Sequence, residues 1–168
     1  GWTGQQGADA DHLKTTADID AYLAAGFTTF TIDPGDHIGH LDPDAASAGL
    51  RLGFGALPWT AFEETPAAML ARYAGRVFDI EGHPIQLNGE ILVRAAIKYA
   101  RAVVHVAKMY RHLVAAAGAR VVELEVSVDE TDTPTSPAEH VFVATELRRL
   151  GVTWTSLAPR LAGRFEKG

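Results

Sequence analysis

The sequence predicts an α/β fold with a parallel sheet, and two features support this prediction. Short runs of β-branched and apolar residues, as at 27–32 and 121–127, alternate with longer segments in which apolar side chains have helical spacing. This alternation is typical of βαβ units, whose strands run parallel under a cover of helices. Acidic residues follow several of the strands, and in parallel α/β folds those loops lie at the carboxyl end of the sheet, where ligands bind.

The composition fits one domain and excludes several classes of site and partner. Hydrophobic residues make up 47% of the 168 residues, enough for a core, and the absence of cysteine excludes disulfides, thiolate metal sites and a cysteine nucleophile. With 21 acidic and 15 basic residues the net charge is −6, so nucleic acid is not expected as a partner. No apolar run reaches the roughly eighteen residues of a membrane span, so no membrane association is expected and a cytoplasmic location is the default.

The chain divides into three consecutive segments, of which the first and third are expected to build one domain. Residues 1–38 contain the first strands and helix, and residues 39–88 form an inserted excursion that starts irregularly and ends in a short helix and a β-hairpin. Residues 89–168 contain the longest helix and further strand–helix units. The expected sheet strands are at 9–12, 27–32, 121–127 and 153–157. Because the chain starts at Gly1 without Met and stops after a charged cluster, we expect it to be a piece of a longer protein.

Local signals mark the helix ends and one unusual helix face. Ser136, Pro137 and Glu139 have the pattern of a capping box with proline in the first turn, and they predict a helix from Pro137. The longest helix carries a cationic stripe opposite its apolar face. The stripe is expected to be solvated, and the alternative is that it docks on an acidic surface of the same or another subunit. The stripe consists of Arg94, Lys98, Arg101, His105, Lys108 and His112.

Polar residues cluster at four predicted strand ends. The clusters are Asp9, Asp11, His12 and Lys14; Asp33, Asp36 and His37; Glu123, Glu125, Asp129 and Glu130; and Arg160, Glu166 and Lys167. If the strands are parallel neighbours, all four clusters project from one rim, and a histidine with carboxylates from different strands suits a hard divalent metal. The alternative is that the aspartates cap the following helices, and that Arg160 and Glu166 form a surface pair.

Glu125 favours the functional alternative. Its strand is predicted to be buried, and a buried carboxylate is tolerated mainly beside a metal or another cation, or with a raised pKa. We therefore expect Glu125 to face a polar pocket shared with the other strand-end clusters, with residues 129–135 shaping its rim. His37 and His40, on a glycine-rich loop, fit either a lid over a substrate or an ordinary surface loop.

Five strings of the sequence are long and distinctive enough to suggest a family. They are ADADHLKT at 8–15, FTTFTIDPGDHI at 27–38, KYARAVVH at 98–105, ELEVSVDETDTPTSPAEH at 123–140 and SLAPRLAGRFEKG at 156–168. With them the sequence resembles the tagaturonate epimerase family over nearly its whole length, apart from the inserted excursion. The resemblance implies a carbohydrate isomerase of hexuronate metabolism that interconverts the keto-uronates tagaturonate and fructuronate with the help of a divalent metal cation.

The resemblance also implies a fold and a set of site residues. The fold would be TIM-barrel-like, with about half of the barrel in this chain, because four strands are expected here and a closed barrel has eight. Asp11 would be the proton acceptor, Glu125 the proton donor, and His12 and Glu166 metal ligands. Substrate binding is assigned to Lys14, Asp33, Asp129 and Arg160. Family members continue beyond FEKG and supply at least one more histidine ligand, so the site in this chain alone is expected to be incomplete.

The substrate pair suggests retro-aldol chemistry, and two other functions stay open. The inverted carbon lies one position beyond the carbon activated by the ketone, so direct proton abstraction there would leave an unstabilised carbanion. The alternatives are another metal-assisted sugar isomerase or aldolase on a similar barrel, and a non-catalytic half-barrel that oligomerises through its sheet edges. The expected partners are a small keto-uronate and either a second copy of the chain or the remainder of a longer one.

Overall fold

A four-stranded parallel sheet forms the centre of the structure. The structure is a computed structural model, and it describes residue 3 and residues 7–42 and 44–163. The strands are β1 (Asp9–Leu13), β2 (Thr29–Ile32), β3 (Val77–Ile80), β4 (His83–Gln86), β5 (Glu123–Val128) and β6 (Ser156–Pro159). The helices are α1 (Thr16–Ala24), α2 (Ser47–Gly55), α3 (Pro66–Tyr73), α4 (Gly89–Ala117) and α5 (Pro137–Arg149), with a 3-10 turn at Gly35–His37. The parallel sheet has the order β1-β2-β5-β6, and β3 and β4 form a separate antiparallel hairpin. The predicted parallel α/β class is confirmed, whereas the half-barrel stays a prediction.

The two faces of the parallel sheet differ in chemistry because successive side chains of a strand point to opposite sides. Phe30, Leu124 and Val126 lie on one face and are buried in a core that also contains apolar residues of α1, α4 and α5. On the other face Thr31 lies beside Glu125 in the register of β2 and β5. Glu125 is half-buried rather than buried as predicted, although Thr31 and Ser127 on the same face of the sheet are buried.

The local sequence signals for helix ends are confirmed. Ser136 caps α5 in the predicted box with Glu139, and the structure adds a second capping box, of Thr15 with Asp18, at the start of α1. In each box the hydroxyl accepts the backbone N–H three residues on, and the carboxylate accepts the N–H of the capping residue. Gly118 follows α4 with a φ of 61°, a conformation that glycine adopts without steric cost. These contacts fix where the helices start and stop.

The inserted excursion contains a helix that the sequence prediction missed. Residues 47–55 form α2, although its three glycines lower helix propensity and gave the segment an irregular pattern. Burial explains the helix, since Leu50 and Phe54 lie four residues apart and both enter the core. Gly53 also packs closely on α4, with Ile97 Cδ1 at 3.1 Å from where a Cβ would stand. The predicted helix after Thr65 and the predicted hairpin are confirmed as α3, β3 and β4.

Part of the cationic stripe of α4 binds other parts of the chain instead of being a solvated face. Lys98 is only 8% exposed, and its ammonium donates to Glu139 Oε1 and to Thr133 Oγ1, both at 3.1 Å. Arg94 and Arg101 donate to backbone carbonyls of residues 42, 45 and 56. The excursion and α5 pack over part of this side of α4, so the solvated face was wrong for Lys98, whose contact with Glu139 fits the alternative of docking within the same subunit. Arg101 and Lys108 are exposed as predicted. Among the helices that the structure describes, none is both long and apolar enough to cross a membrane.

Candidate functional site

The carboxyl ends of three neighbouring strands bring His12, Lys14, Asp33 and Glu130 together. His12 and Lys14 come from the end of β1 and the residue after it, Asp33 follows β2, and Glu130 follows β5. The Lys14 ammonium lies 3.5 Å from both Asp33 Oδ2 and Glu130 Oε2, and 3.6 Å from Asp36 Oδ1. We call these four residues and Asp36 the rim cluster.

Asp33 is the buried centre of the rim cluster. Its side chain is 1% exposed, whereas those of His12 and Lys14 are 42% and 40% exposed. The Gly35 N–H donates to Asp33 Oδ1 at 2.8 Å, and His12 Nδ1 lies 3.3 Å from Asp33 Oδ2. A buried carboxylate with two different polar neighbours on one oxygen is held in a fixed orientation, with that oxygen directed toward the open side of the cluster.

A bulge in β1 sets the direction of His12. Ala10 pairs with Phe30 and Leu13 with Ile32, so β1 has one residue more than β2 over this stretch. His12 lies within the bulge with a φ of 55°, in the left-handed region that few residues other than glycine adopt and in which asparagine, aspartate and histidine are enriched. Bulges of this kind re-aim a side chain next to functional sites. Here the bulge places His12 Nε2 at 3.6 Å from Asp11 Oδ2. It places His12 Nδ1 at 3.3 Å from Asp33 Oδ2.

The electrostatics of the rim cluster are dominated by carboxylates around one lysine. The pKa of Lys14 is raised, chiefly by the charge of Asp33 and further by Glu130 and Asp36, because each carboxylate stabilises the ammonium. Gly35 leaves room for this arrangement, since a Cβ there would lie 2.6 Å from Glu130 Oε2 and 3.0 Å from Asp33 Oδ1. A side chain at position 35 would therefore displace Glu130.

Three members of the rim cluster fit a divalent cation. One donor atom each from His12, Asp33 and Glu130 lies within 4.8 Å of the others, so all three could approach one ion. An imidazole with two carboxylates is a donor set that divalent transition metals and harder cations accept. The Lys14 ammonium already lies against the two carboxylates, which shows that the position favours positive charge.

The predicted acid–base pair lies on the polar face of the sheet. Thr31 Oγ1 donates to Asp9 Oδ2 at 2.6 Å and lies 3.4 Å from Glu125 Oε1, so it links β1 to β5 through β2. Asp11 is 63% exposed and touches His12. Glu125 and Asp11 are thus both on the strands that carry the rim cluster.

The remaining predicted site residues have other contacts. Asp129 Oδ1 accepts a hydrogen bond from Ser127 Oγ at 2.7 Å, which turns it toward its own strand. The Arg160 guanidinium donates to the carbonyl of Thr131, and its backbone N–H donates to Thr135 Oγ1 at 3.1 Å. Arg160 therefore braces the loop at 131–135. Glu166 lies outside the described residues.

Comparison with known proteins identifies the family. Residues 1–168 match the family model described as UxaE, tagaturonate epimerase. The chain belongs to the tagaturonate epimerase family. It is 40% identical to the tagaturonate/fructuronate epimerase of Thermotoga maritima over 164 residues. This alignment covers 96% of this chain and 32% of that protein.

Solved structures of another tagaturonate epimerase family member have the same fold as this chain. The fructuronate-tagaturonate epimerase UxaE from Cohnella laeviribosi, in a crystal structure with one glycerol, matches with a TM-score of 0.87 and 34% identity over 99% of this chain and 33% of that one. Its native crystal structure matches with a TM-score of 0.86 and 33% identity, again over 99% of this chain and 33% of that one. The chain thus spans about a third of the length of the relatives it matches.

The strand-end clusters of the sequence contain every member of the rim cluster, but they do not single out Asp33 and Glu130 as ligands. The predicted role of Asp33 in substrate binding stays a prediction, and the structure places it beside His12 as a candidate ligand as well. Glu130 has no assigned role in the sequence analysis. Its contact with Lys14 shows that, of the acids in the loop VDETD, Glu130 extends toward the end of β1. The spacing of that acidic loop was the available signal, but it does not say which side chain turns inward.

Proposed function

We propose that this chain is part of an enzyme that interconverts tagaturonate and fructuronate, the two compounds in the names of its relatives. The observation that best supports this is the rim cluster, in which a histidine, a lysine and carboxylates from three parallel strands meet at the carboxyl end of the sheet. Ligand sites of parallel α/β folds lie at that end. A keto-uronate offers a carbonyl, hydroxyls and a carboxylate, which match these groups chemically.

We further propose that the enzyme depends on a divalent metal held by His12, Asp33 and Glu130, with Glu166 as a predicted further ligand. A bound divalent cation would act as a Lewis acid toward the ketone of the substrate. Asp33 is suited to the task of ligand because burial and the Gly35 N–H fix its orientation. The His12 bulge presents the imidazole on the same side.

The proposed reaction is a retro-aldol cleavage followed by re-addition. We propose that the Asp11 carboxylate takes the proton of the hydroxyl on the carbon to be inverted. The oxygen of that hydroxyl and its carbon then become the carbonyl of an aldehyde. The bond from this carbon to the carbon next to the ketone breaks, and its electron pair passes to the ketone fragment as an enolate. The aldehyde turns over, the bond forms again on its other face, and Glu125 is proposed to return a proton to the new hydroxyl.

Lys14 and Arg160 are proposed to hold the carboxylate of the uronate. The Lys14 side chain is 40% exposed, so its ammonium can turn from the acids of the rim cluster toward a bound anion. Arg160 uses part of its guanidinium on Thr131, which leaves other N–H groups for a carboxylate. A neutral ketose lacks this carboxylate, so discrimination against neutral ketoses would support the keto-uronate over another metal-assisted sugar isomerase or aldolase.

The acid–base roles are tested by turnover of tagaturonate and fructuronate in the protein at its natural length. We expect Glu125→Gln and Asp11→Asn each to lower kcat by about 10²-fold or more, as for loss of a general acid or base. Glu123→Gln is the matched control, because Glu123 is on the same strand and face but exposed. Unchanged turnover in both variants would rule out these roles.

The metal proposal is tested by calorimetric titration of metal-free protein with Mn²⁺. Asp33→Asn keeps the hydrogen bond from Gly35 but loses the ligand charge, and we expect it to weaken binding at least about tenfold. Asp36→Asn is the control, since Asp36 touches Lys14 but is 73% exposed and outside the three-residue group. Equal affinities of the two variants would contradict the assignment of Asp33 as a ligand.

A further inference from the structure

A second concave region with a different charge lies near the opposite end of the sheet. Its lining comes from the end of α3, the start of β3, the last turns of α5 and the loop before β6, and its volume is about 450 Å³. An adjoining cavity of about 420 Å³ shares Arg148 and Trp154 with it. Because residues 151–154 precede β6, this region lies toward the amino end of the strands, whereas the rim cluster lies at their carboxyl end. We call it the arginine cavity.

Positive charge is concentrated in the arginine cavity although the whole chain is acidic. Arg72, Arg76, Arg148 and Arg149 line it, and the carboxylates bound to them are those of Glu64 and Glu146. Four guanidinium charges against two carboxylates leave a local charge of +2, in a chain whose net charge is −6. An anion would therefore be attracted to this surface rather than to the rest of the protein.

The four arginines divide into two that are neutralised and two that are not. Arg72 donates to Glu64 and Glu146, and Arg149 donates to Glu146 and to the carbonyl of Phe62. In the part of the chain that the structure describes, the guanidinium groups of Arg76 and Arg148 have neither a carboxylate within 4.0 Å nor a hydrogen-bond acceptor. The position of Arg148 in the last turn of α5 suits the helix dipole. Arg76 lies in the connection between α3 and β3, so the helix dipole does not account for both.

Aromatic side chains give the arginine cavity a defined shape. The Arg76 guanidinium lies over the Phe78 ring with 4.4 Å between its carbon and the ring centroid, which restricts the plane of its N–H groups. Trp154 is half-buried against the core and forms part of the wall of both cavities. Guanidinium groups held in place lose less entropy when they bind an oxyanion.

We propose that the arginine cavity binds a phosphate group, either as inorganic phosphate or on a small phosphorylated metabolite. The two guanidiniums without partners match the double charge of a phosphate monoester, and their forked donors match its oxygens. The volume is within the range of pockets for small metabolites. This site is separate from the proposed catalytic residues, so it would serve regulation or stabilisation rather than the proposed epimerase reaction.

The test is calorimetric titration of the natural-length protein with inorganic phosphate, a hexose phosphate and a neutral hexose at constant ionic strength. We expect both phosphate probes to bind and the neutral hexose not to bind. Tighter binding of the hexose phosphate would assign the site to a metabolite, and equal binding would assign it to inorganic phosphate.

Charge-neutralising variants locate the binding. Arg76→Gln and Arg148→Gln are each expected to weaken phosphate binding about tenfold through loss of charge-assisted hydrogen bonds. Both side chains are on exposed residues, so the fold should be kept. Arg51→Gln is the control, because Arg51 is an exposed arginine of α2 outside the arginine cavity. Absence of phosphate binding to the wild type, or an equal loss in Arg51→Gln, would overturn the proposal.

Discussion

Two buried carboxylates, Glu146 on α5 and Asp33 after β2, have opposite surroundings. Glu146 is 0% exposed and accepts hydrogen bonds from Arg72 at 2.7 Å, from the Tyr73 hydroxyl at 2.6 Å and from Arg149 at 2.7 Å. The pKa of Tyr73 is raised by burial and by the nearby Glu146 carboxylate. Asp33 is buried to a similar extent, but its neighbours His12 and Lys14 are about two-fifths exposed and also contact further acids.

The difference separates a structural network from a site that can bind something. The charges of Glu146, Arg72 and Arg149 are paired with one another within the fold. This network connects α3 to α5 and offers no unpaired charge to a ligand. In the rim cluster the carboxylates of Asp33, Asp36 and Glu130 all face the single ammonium of Lys14. That cluster has an excess of negative charge and is open to solvent, which are the conditions for binding a cation.

Breaking the closed network should have the largest effect on stability. Glu146→Gln leaves Arg72 and Arg149 without the buried negative charge between them, and loss of one partner of a buried pair typically costs about 3 to 5 kcal/mol. We expect a decrease of about 3 kcal/mol in the free energy of unfolding, measured by chemical denaturation of the natural-length protein.

The control for this prediction is an ion pair that is not buried. Glu90 pairs with Arg94 one helical turn away on α4, and Glu90 is 56% exposed. Glu90→Gln should change the free energy of unfolding by less than about 0.5 kcal/mol. If the two variants lost similar amounts, the contrast between a closed network and ordinary surface pairs would be wrong.

Gly35→Ala should damage the open cluster while leaving the fold intact. The new Cβ would lie 2.6 Å from Glu130 Oε2, so the Glu130 side chain must turn away, and Lys14 and the proposed metal would lose one carboxylate. We expect Mn²⁺ binding to weaken several-fold, to about tenfold, with a change of less than about 1 kcal/mol in the free energy of unfolding.

The matched control for Gly35→Ala is Gly49→Ala in α2. No atom lies within 4 Å of the position of a Cβ at Gly49, and alanine there should stabilise the helix by about 0.5 to 1 kcal/mol. Mn²⁺ binding should be unchanged in this variant. Weakened binding in both variants would indicate that the effect of Gly35→Ala is not local to Glu130.

The parts of the fold that follow local rules were predictable from the sequence. The capping boxes at Thr15 and Ser136 and the hairpin around Gly82 are set by residues within a few positions of one another. Helix α2 was not predictable in this way, because its glycines argue against a helix and only the packing of Leu50 and Phe54 into the core stabilises it.

The candidate site was predictable only to the level of strand ends. That His12, Lys14 and Asp33 would lie near one another follows from parallel strands whose carboxyl ends meet at one edge. That Glu130 completes the group depends on the loop after β5, and that His12 turns toward Asp33 depends on the bulge in β1. Both are long-range contacts between segments far apart in sequence, which periodicity does not encode. The burial of Lys98 in the cationic stripe of α4 was not predictable for the same reason.

The smallest expected effect concerns pH and a histidine that lies beside the rim cluster. His105 on α4 stacks on His37 with 3.9 Å between ring centroids, and burial, together with the charge of His37, lowers the pKa of His105 below its ordinary value of 6.5. Below pH 6.5 the unfolded chain therefore binds a proton at this residue that the folded chain does not. The contribution to stability is complete above that pH and is lost as the pH falls toward the folded pKa.

His105→Phe keeps a ring against His37 but removes the titration. We expect the wild type to lose more unfolding free energy than this variant between about pH 7.5 and about pH 5.5, by less than about 1.4 kcal/mol. Burial also lowers the pKa of His140, so part of the acid sensitivity should persist in the variant. His83→Phe is the control for replacing a histidine by phenylalanine, because His83 is an exposed residue at the start of β4, outside the stacked pair. An unaltered pH dependence in His105→Phe would show that the stacked pair does not resist protonation in the folded protein.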